Sequence, residues 1–417
     1  MHSAVNRESF YLRYQEWMLF LTRCSIIILL YGVSASMALA SIGAVFTLAF
    51  WILTFDWIRP WPRLIKLPAF WPLILVPAMV IFGTLYSTAP FDYAIRYFGV
   101  YSRFLIILII ISVIDDEVWQ KRCWTGFFIG AAVTLFSTYL SIFYVLPWSK
   151  SQSTGLGENH SVFYDYIAQG VMTSFLAIVA LSNLLTEKLI SFKFLWLSVL
   201  FISVFGITHL LIGRTGQIVC VIGLLSVVIT AHSIRRSLII IGALMIFIII
   251  LWISSPVISQ RFMLILSEIT AYQQGVEMTS IGARLAMWKV SWIFFWDQPI
   301  FGHGTGSYRL LSESVFTDTV MCKISCIHPH NQFLFFGVEH GIIGIFIYGW
   351  LFFALFKIAN QVDLKNKLIL TGLVAIIFVD SFINSPFWIS SERNFYTSVM
   401  ALAMTSFYLN RAIKRLN

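Results

Sequence analysis

Long apolar runs recur from one end of this chain to the other, and they constrain the fold more than any other feature. Each is about 17 residues or longer, the length an α-helix needs to cross the hydrocarbon core of a bilayer. In a 417-residue chain, 59% of residues are hydrophobic and only 11% charged, against about a quarter charged in soluble domains. The chain therefore reads as an all-α polytopic membrane protein. Its spans fall at 16–32, 36–55, 71–87, 94–114, 123–146, 166–186, 192–209, 215–231, 237–254, 333–357, 367–385 and 394–410. The first run follows a polar start with Arg7, Glu8 and Arg13 and reads as a retained span rather than a cleaved leader.

The net charge of +9 does not imply nucleic acid. The basic residues sit in short connections, where they report orientation. One set holds Arg59, Arg63, Lys66, Lys121, Arg122, Lys188, Lys193, Arg235, Arg236, Lys357, Lys365 and Lys367, together with Arg411, Lys414 and Arg415 in the tail. The opposite set holds only Lys150, Arg214 and Arg393. Both termini are accordingly expected in the cytoplasm. Two outer segments are long, 147–165 and 255–332, and a connection of the second length is expected to carry function. The chain divides into spans 1–9 over 1–254, an outer loop over 255–332, and spans 10–12 over 333–417.

Within that loop, Ile281–Phe295 places Arg284, Met287, Trp288, Ser291, Trp292 and Phe295 at helical spacing, as in a helix lying in the membrane interface. Gly302, Gly304 and Gly306 follow. With no preceding strand they read as a tight turn rather than a phosphate loop. Cys322, Cys326, His328 and His330 spell C-x3-C-x-H-x-H, four residues of zinc-ligand type at an unusual spacing. The expectation is no metal and a Cys322–Cys326 disulfide in an oxidising compartment.

Charge near the hydrocarbon is costly and marks candidate sites. Arg96 and Arg103, seven residues apart in the fourth span, share a helix face. Each is either a snorkelling anchor or a possible substrate-binding residue. Arg214 lies between two nearly uninterrupted apolar runs, bracketed by Gly213 and Gly216, where a guanidinium beside open backbone N–H groups suits a phosphate. Arg284 adds a second cation on the same face. His330 stands at the junction with the tenth span. Its side chain titrates near neutral pH, so it suits the role of general base, and nearby arginines would keep it neutral. His328 and Asn331 are its neighbours and possible substrate contacts. Pro329 is expected in the first turn of the following helix, and Gly341 and Gly344 at close helix–helix contacts. No cofactor is expected: no G-x-x-x-x-G-K-[ST] is present and no cytoplasmic segment could hold a nucleotide domain. The substrate must therefore arrive already activated, as a lipid-linked diphosphate sugar does.

At this point the residues resemble the bacterial O-antigen ligases (WaaL), within the O-antigen ligase/polymerase superfamily. The family motif is His, then Asn, Ser or Gln, nine residues, Gly, two residues, then Gly, Thr or Tyr. Here it reads His330-Asn331 and Gly341-Ile342-Ile343-Gly344. The family's R-T-G turn matches Arg214-Thr215-Gly216. An Arg, a Trp and P-x-F-G-x-G match Arg284, Trp288 and Pro299 to Gly304. The resemblance implies a GT-C-like fold and an inverting, metal-independent glycosyltransferase of the inner membrane, with its active site in the periplasm. It implies transfer of O-antigen polysaccharide from undecaprenyl diphosphate to lipid A-core. It gives His330 as base on the acceptor hydroxyl, and Arg214 and Arg284 as diphosphate ligands. Alternatives are an O-antigen polymerase or a protein oligosaccharyltransferase of the same superfamily, the latter disfavoured by the short sequence after the last span. A flippase or transporter would instead place its ionisable groups near midplane. Membrane lipids are the other expected partners, and the oligomeric state is left open.

Overall fold

The computed structural model describes residues 2–254 and 256–416. Ser255, where the long outer segment was expected to begin, lies outside them, as do the side chains of Arg7, Glu8, Arg411, Lys414 and Arg415. Among the described residues every regular element is helical, with no strand. The helices are α1 His2–Ala35, α2 Met37–Leu53, the short α3 Trp61–Leu64, α4 Phe70–Gly83, α5 Phe91–Tyr101, α6 Arg103–Val113 and α7 Glu117–Leu140. Next come α8 Tyr166–Thr186, α9 Ile190–Phe205, a π-helical turn at Gly206–Leu210, α10 Arg214–Ala231 and α11 Ile234–Ser254. Four helices follow before the next span: α12 Pro256–Gln273, α13 Ser280–Asp297, α14 Ser307–Val315 and α15 Thr319–Ser325. The chain closes with α16 Gln332–Ala359, α17 Leu364–Ile383 and α18 Ser390–Leu416.

A helix occupies every stretch expected to span, and among the described residues eight are long and apolar enough to cross a membrane. Part of the difference from twelve has local causes. α2 has 17 residues and α4 only 14, and at about 1.5 Å per residue α4 falls short of a full crossing. α4 was expected to continue to 87. It stops at Gly83 because Thr305 caps it: the Thr305 N–H donates to Gly83 O at 3.1 Å and its hydroxyl to Val80 O at 2.7 Å, occupying carbonyls that a helix end leaves open. α7 starts earlier than expected because Asp116 accepts from Trp119 N–H at 2.8 Å as N-cap. The fourth span is interrupted at Ser102, between α5 and α6.

Lipid is as apolar as leucine, so spanning helices associate through close packing rather than hydrophobic burial. α8 lies at the centre, against α9, α10 and α17. A Cβ on Gly216 would come within 2.8 Å of Gly170 Cα, so α10 crosses α8 on paired glycines. This is the close approach for which the glycine of R-T-G is needed. α1 packs on α2 and α7. The starts of α5, α8, α10, α16 and α18 and the ends of α4 and α17 share one end of the bundle, together with α12–α15. The basic connections gather at the other end.

Candidate active site

α13 sets the frame. Thr279 caps it by accepting from Gly282 N–H at 3.0 Å. Ala283, Ala286, Met287, Ser291 and Phe295 are buried, and the helix packs on α16. Trp292, Ile293 and Trp296 on the other side are 54%, 58% and 60% exposed, an apolar face open to its surroundings. Arg284 and Trp288 stand one turn apart. The Trp288 indole N–H donates to Pro329 O at 3.1 Å. One helix therefore carries the cation and fixes the loop that bears the histidines.

That loop is strained. His330 has φ 49, in the left-handed region that L-residues visit at a cost. Its backbone N–H donates to His328 Nδ1 at 3.3 Å, so the buried His328 holds the turn. The two rings lie 4.2 Å apart. Asn331 is the N-cap of α16. Its Oδ1 accepts from Leu334 N–H at 3.0 Å and its Nδ2 donates to Phe382 O at 3.1 Å, so the polar atoms of Asn331 tie α16 to α17. Pro329 precedes this cap and lies outside the helix, not in its first turn as expected, because Asn331 begins the helix. The His330 ring is half-buried, with Nδ1 3.1 Å from Asn384 Oδ1. Burial, and then the Arg284 cation, lower the His330 pKa to about 4, against the opposing hydrogen bond of Asn384. The ring is neutral at neutral pH. His328 is pushed down still more firmly by burial, then by His330 and Arg284.

Arg214 opens α10 with no side-chain cap on the helix, leaving first-turn N–H groups open beside it. Its Nη2 donates to Glu268 Oε1 at 2.8 Å, Glu268 Oε2 accepts from Ile281 N–H at 2.9 Å, and Arg214 Nη1 is buried with no hydrogen-bond partner among the described residues. Glu268 of α12 thus ties the Arg214 helix to the start of α13. Arg284 is half-buried and makes no hydrogen bond or ion pair among the described residues. Its pKa is lowered by burial first and by Arg214 second. Two guanidiniums with unused donors stand within electrostatic reach of each other and of His330.

The glycine loop does different work. Gly302, Gly304 and Gly306 all have positive φ, as a tight turn requires. The loop docks on a break in α16 at Gly341, where φ is 62 and ψ −156. There the His303 N–H donates to Val338 O at 2.9 Å, Gly304 N–H to Glu339 O at 2.9 Å, and Ile342 N–H to Pro299 O at 2.8 Å. These bonds replace the helical ones that the break removes. A Cβ on Gly341 would lie 2.2 Å from Ile300 O. Gly341 therefore serves the loop rather than helix–helix packing as expected, and a Cβ on Gly344 would meet His340 and Phe336 of its own helix. Cys322 and Cys326 form a disulfide across one turn, with Cα atoms 4.9 Å apart.

The fold thus brings Arg214, Arg284, His328, His330 and Asn331 to one end of the bundle. Arg96 is exposed on α5 and Arg103 half-buried at the start of α6. Neither bonds to these residues among the described ones. The sequence reading missed Glu268, Asn384 and Glu392, and Asp380, which is completely buried and accepts from Tyr396 OH at 2.8 Å. The available signal was a carboxylate in or beside an apolar helix.

Residues 197–349 match the Wzy_C family, described as O-antigen ligase. The chain is 31% identical over 125 residues to the O-antigen ligase of Escherichia coli (strain K12), covering 28% of this chain and 30% of that protein. It is 30% identical over 153 residues to an uncharacterized protein of Haemophilus influenzae, covering 34% and 38%. The matched stretches thus span about a third of the length of these relatives. The family match encloses Arg214, Arg284, His328, His330 and Asn331 and stops short of Asn384 and Glu392. Residues 197–349 are thus similar to the Wzy_C family, and the many apolar helices make the chain a multi-pass membrane protein.

Proposed function

We propose that the protein is an inverting, metal-independent glycosyltransferase that moves O-antigen polysaccharide from undecaprenyl diphosphate onto lipid A-core. One observation carries the reading. A neutral, strained His330 stands within electrostatic reach of Arg284, a guanidinium with no bond among the described residues. A diphosphate held by Arg284 and Arg214 would place its sugar beside the histidine. Nε2 of His330 takes the proton of an acceptor hydroxyl. The hydroxyl oxygen attacks the anomeric carbon from the face opposite the diphosphate, and the carbon–oxygen bond to that diphosphate breaks. Charge gathers on the leaving phosphate as the bond lengthens, and the two guanidiniums offset it most at that point, as catalysis requires.

The same reading places the site in the periplasm of a bacterial inner membrane with both termini in the cytoplasm, because the basic connections lie at the opposite end of the bundle. The 255–332 segment is then the periplasmic part, with the exposed Trp292 and Trp296 of α13 in the interface. The test is a reconstituted assay with purified lipid-linked donor and lipid A-core. His330→Ala is expected to stay folded and transfer nothing, and full activity would sink the base assignment. Wild-type activity should survive a chelator. Cells lacking the chain should accumulate lipid-linked polysaccharide over bare lipid A-core, whereas single-repeat caps would point to a polymerase.

A further inference from the structure

We infer that Asn384 and Glu392 are positioning residues that hold the His330 imidazole in one tautomer, with the proton on Nδ1 and Nε2 presented as the acceptor. The inference rests on the reading of His330 as the base. Asn384 follows the last residue of α17, and its backbone N–H donates to Asp380 O at 2.7 Å. Glu392 lies in the first turn of α18. Both are 1% exposed.

The direction of the chain follows from what each group can do. Asn384 Nδ2 lies 2.9 Å from both Glu392 Oε1 and Oε2. Burial and then Asp380 raise the Glu392 pKa, but a carboxyl carries at most one hydrogen, so at least one of its oxygens only accepts, and turning the amide over would set Oδ1 against it. Asn384 Oδ1 therefore faces His330, 3.1 Å from Nδ1. A carbonyl oxygen also only accepts, so Nδ1 must carry the hydrogen. His328 does not compete, because its own Nδ1 is taken by the His330 backbone N–H. The charged and titratable groups bearing on the ring are His328 in its own loop, Arg284 from α13, and Glu392 of α18 behind the amide.

A buried carboxylate is costly unless paired; Glu392 makes no ion pair among the described residues, and burial, then Asp380 and Asp165, raise its pKa well above the usual carboxylate range. Its recorded side-chain partner there is the Asn384 amide. During transfer the proton from the acceptor hydroxyl goes to Nε2 while the Nδ1 proton stays in place. The imidazolium that forms keeps its Nδ1–H on Asn384 Oδ1, which the Glu392 carboxyl holds in place through Nδ2.

The experiment uses the full chain in liposomes with purified donor and acceptor, and histidine labelled with nitrogen-15. Asn384→Leu and Glu392→Met are expected to lower kcat by about 10²–10⁴-fold, the scale of a wrong tautomer, with donor KM within about twofold. Glu392→Gln keeps an acceptor for Asn384 and is expected to stay within about tenfold of wild type. The wild-type spectrum should show His330 protonated on Nδ1, and Asn384→Leu should show both tautomers. A wild-type His330 protonated on Nε2 would overturn the inference. So would wild-type kcat in Asn384→Leu, or equal losses in Glu392→Gln and Glu392→Met. The spectrum reads the tautomer whether or not the chain turns over, and His330→Ala tests the base reading by itself, so the two can fail separately.

Discussion

His330 stands just before α16 and His340 at the end of its first segment, and the contrast between them separates chemistry from construction. His330 is half-buried on a left-handed backbone, and its neutral ring sits beside a guanidinium with unused donors. His340 is 3% exposed, with Nε2 3.9 Å from Glu339 Oε2 and no hydrogen bond to that nitrogen among the described residues. Gly83 of α4 walls it in, since a Cβ there would lie 2.8 Å from His340 Cε1. Glu339 accepts from Gly306 N–H at 3.1 Å, so this second cluster anchors the glycine loop on the helix break. Both histidines belong to motif-rich sequence. Only one has an open side, cations for an anion and a partner chain that orients its ring.

The largest expected effect tests that contrast directly. His330→Ala should lower transfer by about 10³-fold or more, as loss of a general base and its positioning does. His340→Gln should stay within about tenfold, measured side by side in liposomes. Equal losses would break the comparison. Arg284→Lys and Arg214→Lys come next, each at about 10²-fold in kcat, because an ammonium cannot offer the planar paired donors of a guanidinium to a phosphate. Wild-type turnover in Arg214→Lys would remove it from the site.

Gly341→Ala should act on stability more than on chemistry. The backbone there has φ 62 and no room for a Cβ, which costs about 1–3 kcal/mol for the conformation alone. A lower Tm in detergent, with turnover of the folded fraction kept within a few-fold, would sharpen the division between the two ends of the segment. The smallest effect is in pH. The folded pKa of His330, about 4, lies below its unfolded value, so neutral His330 contributes stability above about pH 6.5 that is lost as pH falls through 4. The acid limb of kcat/KM should follow the same depressed value. Arg284→Gln removes a cation that disfavours imidazolium and should move that limb upward. A wild-type limb at 6.5 would mean that the ring is neither buried nor near Arg284.

Much of the fold was legible because partitioning into lipid is summed locally along the chain. Every expected span coincides with a helix, apart from the interruption at Ser102. Arg214, Arg284 and His330 could be singled out because charge and histidine beside apolar runs are conspicuous, and the fold brings them to one end. The Cys322–Cys326 bond was an expectation that four-residue spacing allows only where the backbone bends suitably, and the fold brings the two Cα atoms to 4.9 Å. Other details were hidden. The break at Gly341 exists because Pro299 to Thr305 docks there, and nothing within 332–359 announces that contact. Pro329 looked like a helix start until Asn331 took the cap. Glu268, Asp380 and Glu392 carried a usable signal, but their partners lie far along the chain.

The sequence alone determined that this chain crosses a membrane repeatedly and that one end of it collects arginines and a histidine. Transfer between water and lipid is decided residue by residue, so order along the chain is enough. Only the tertiary structure decided which groups meet. His330 touches Asn384, 54 positions away, and Arg214 touches Glu268, also 54 away. Those distances are set by how helices cross and where loops break them, and direct hydrogen bonding depends on contact over about 3 Å, far finer than any spacing read along the chain.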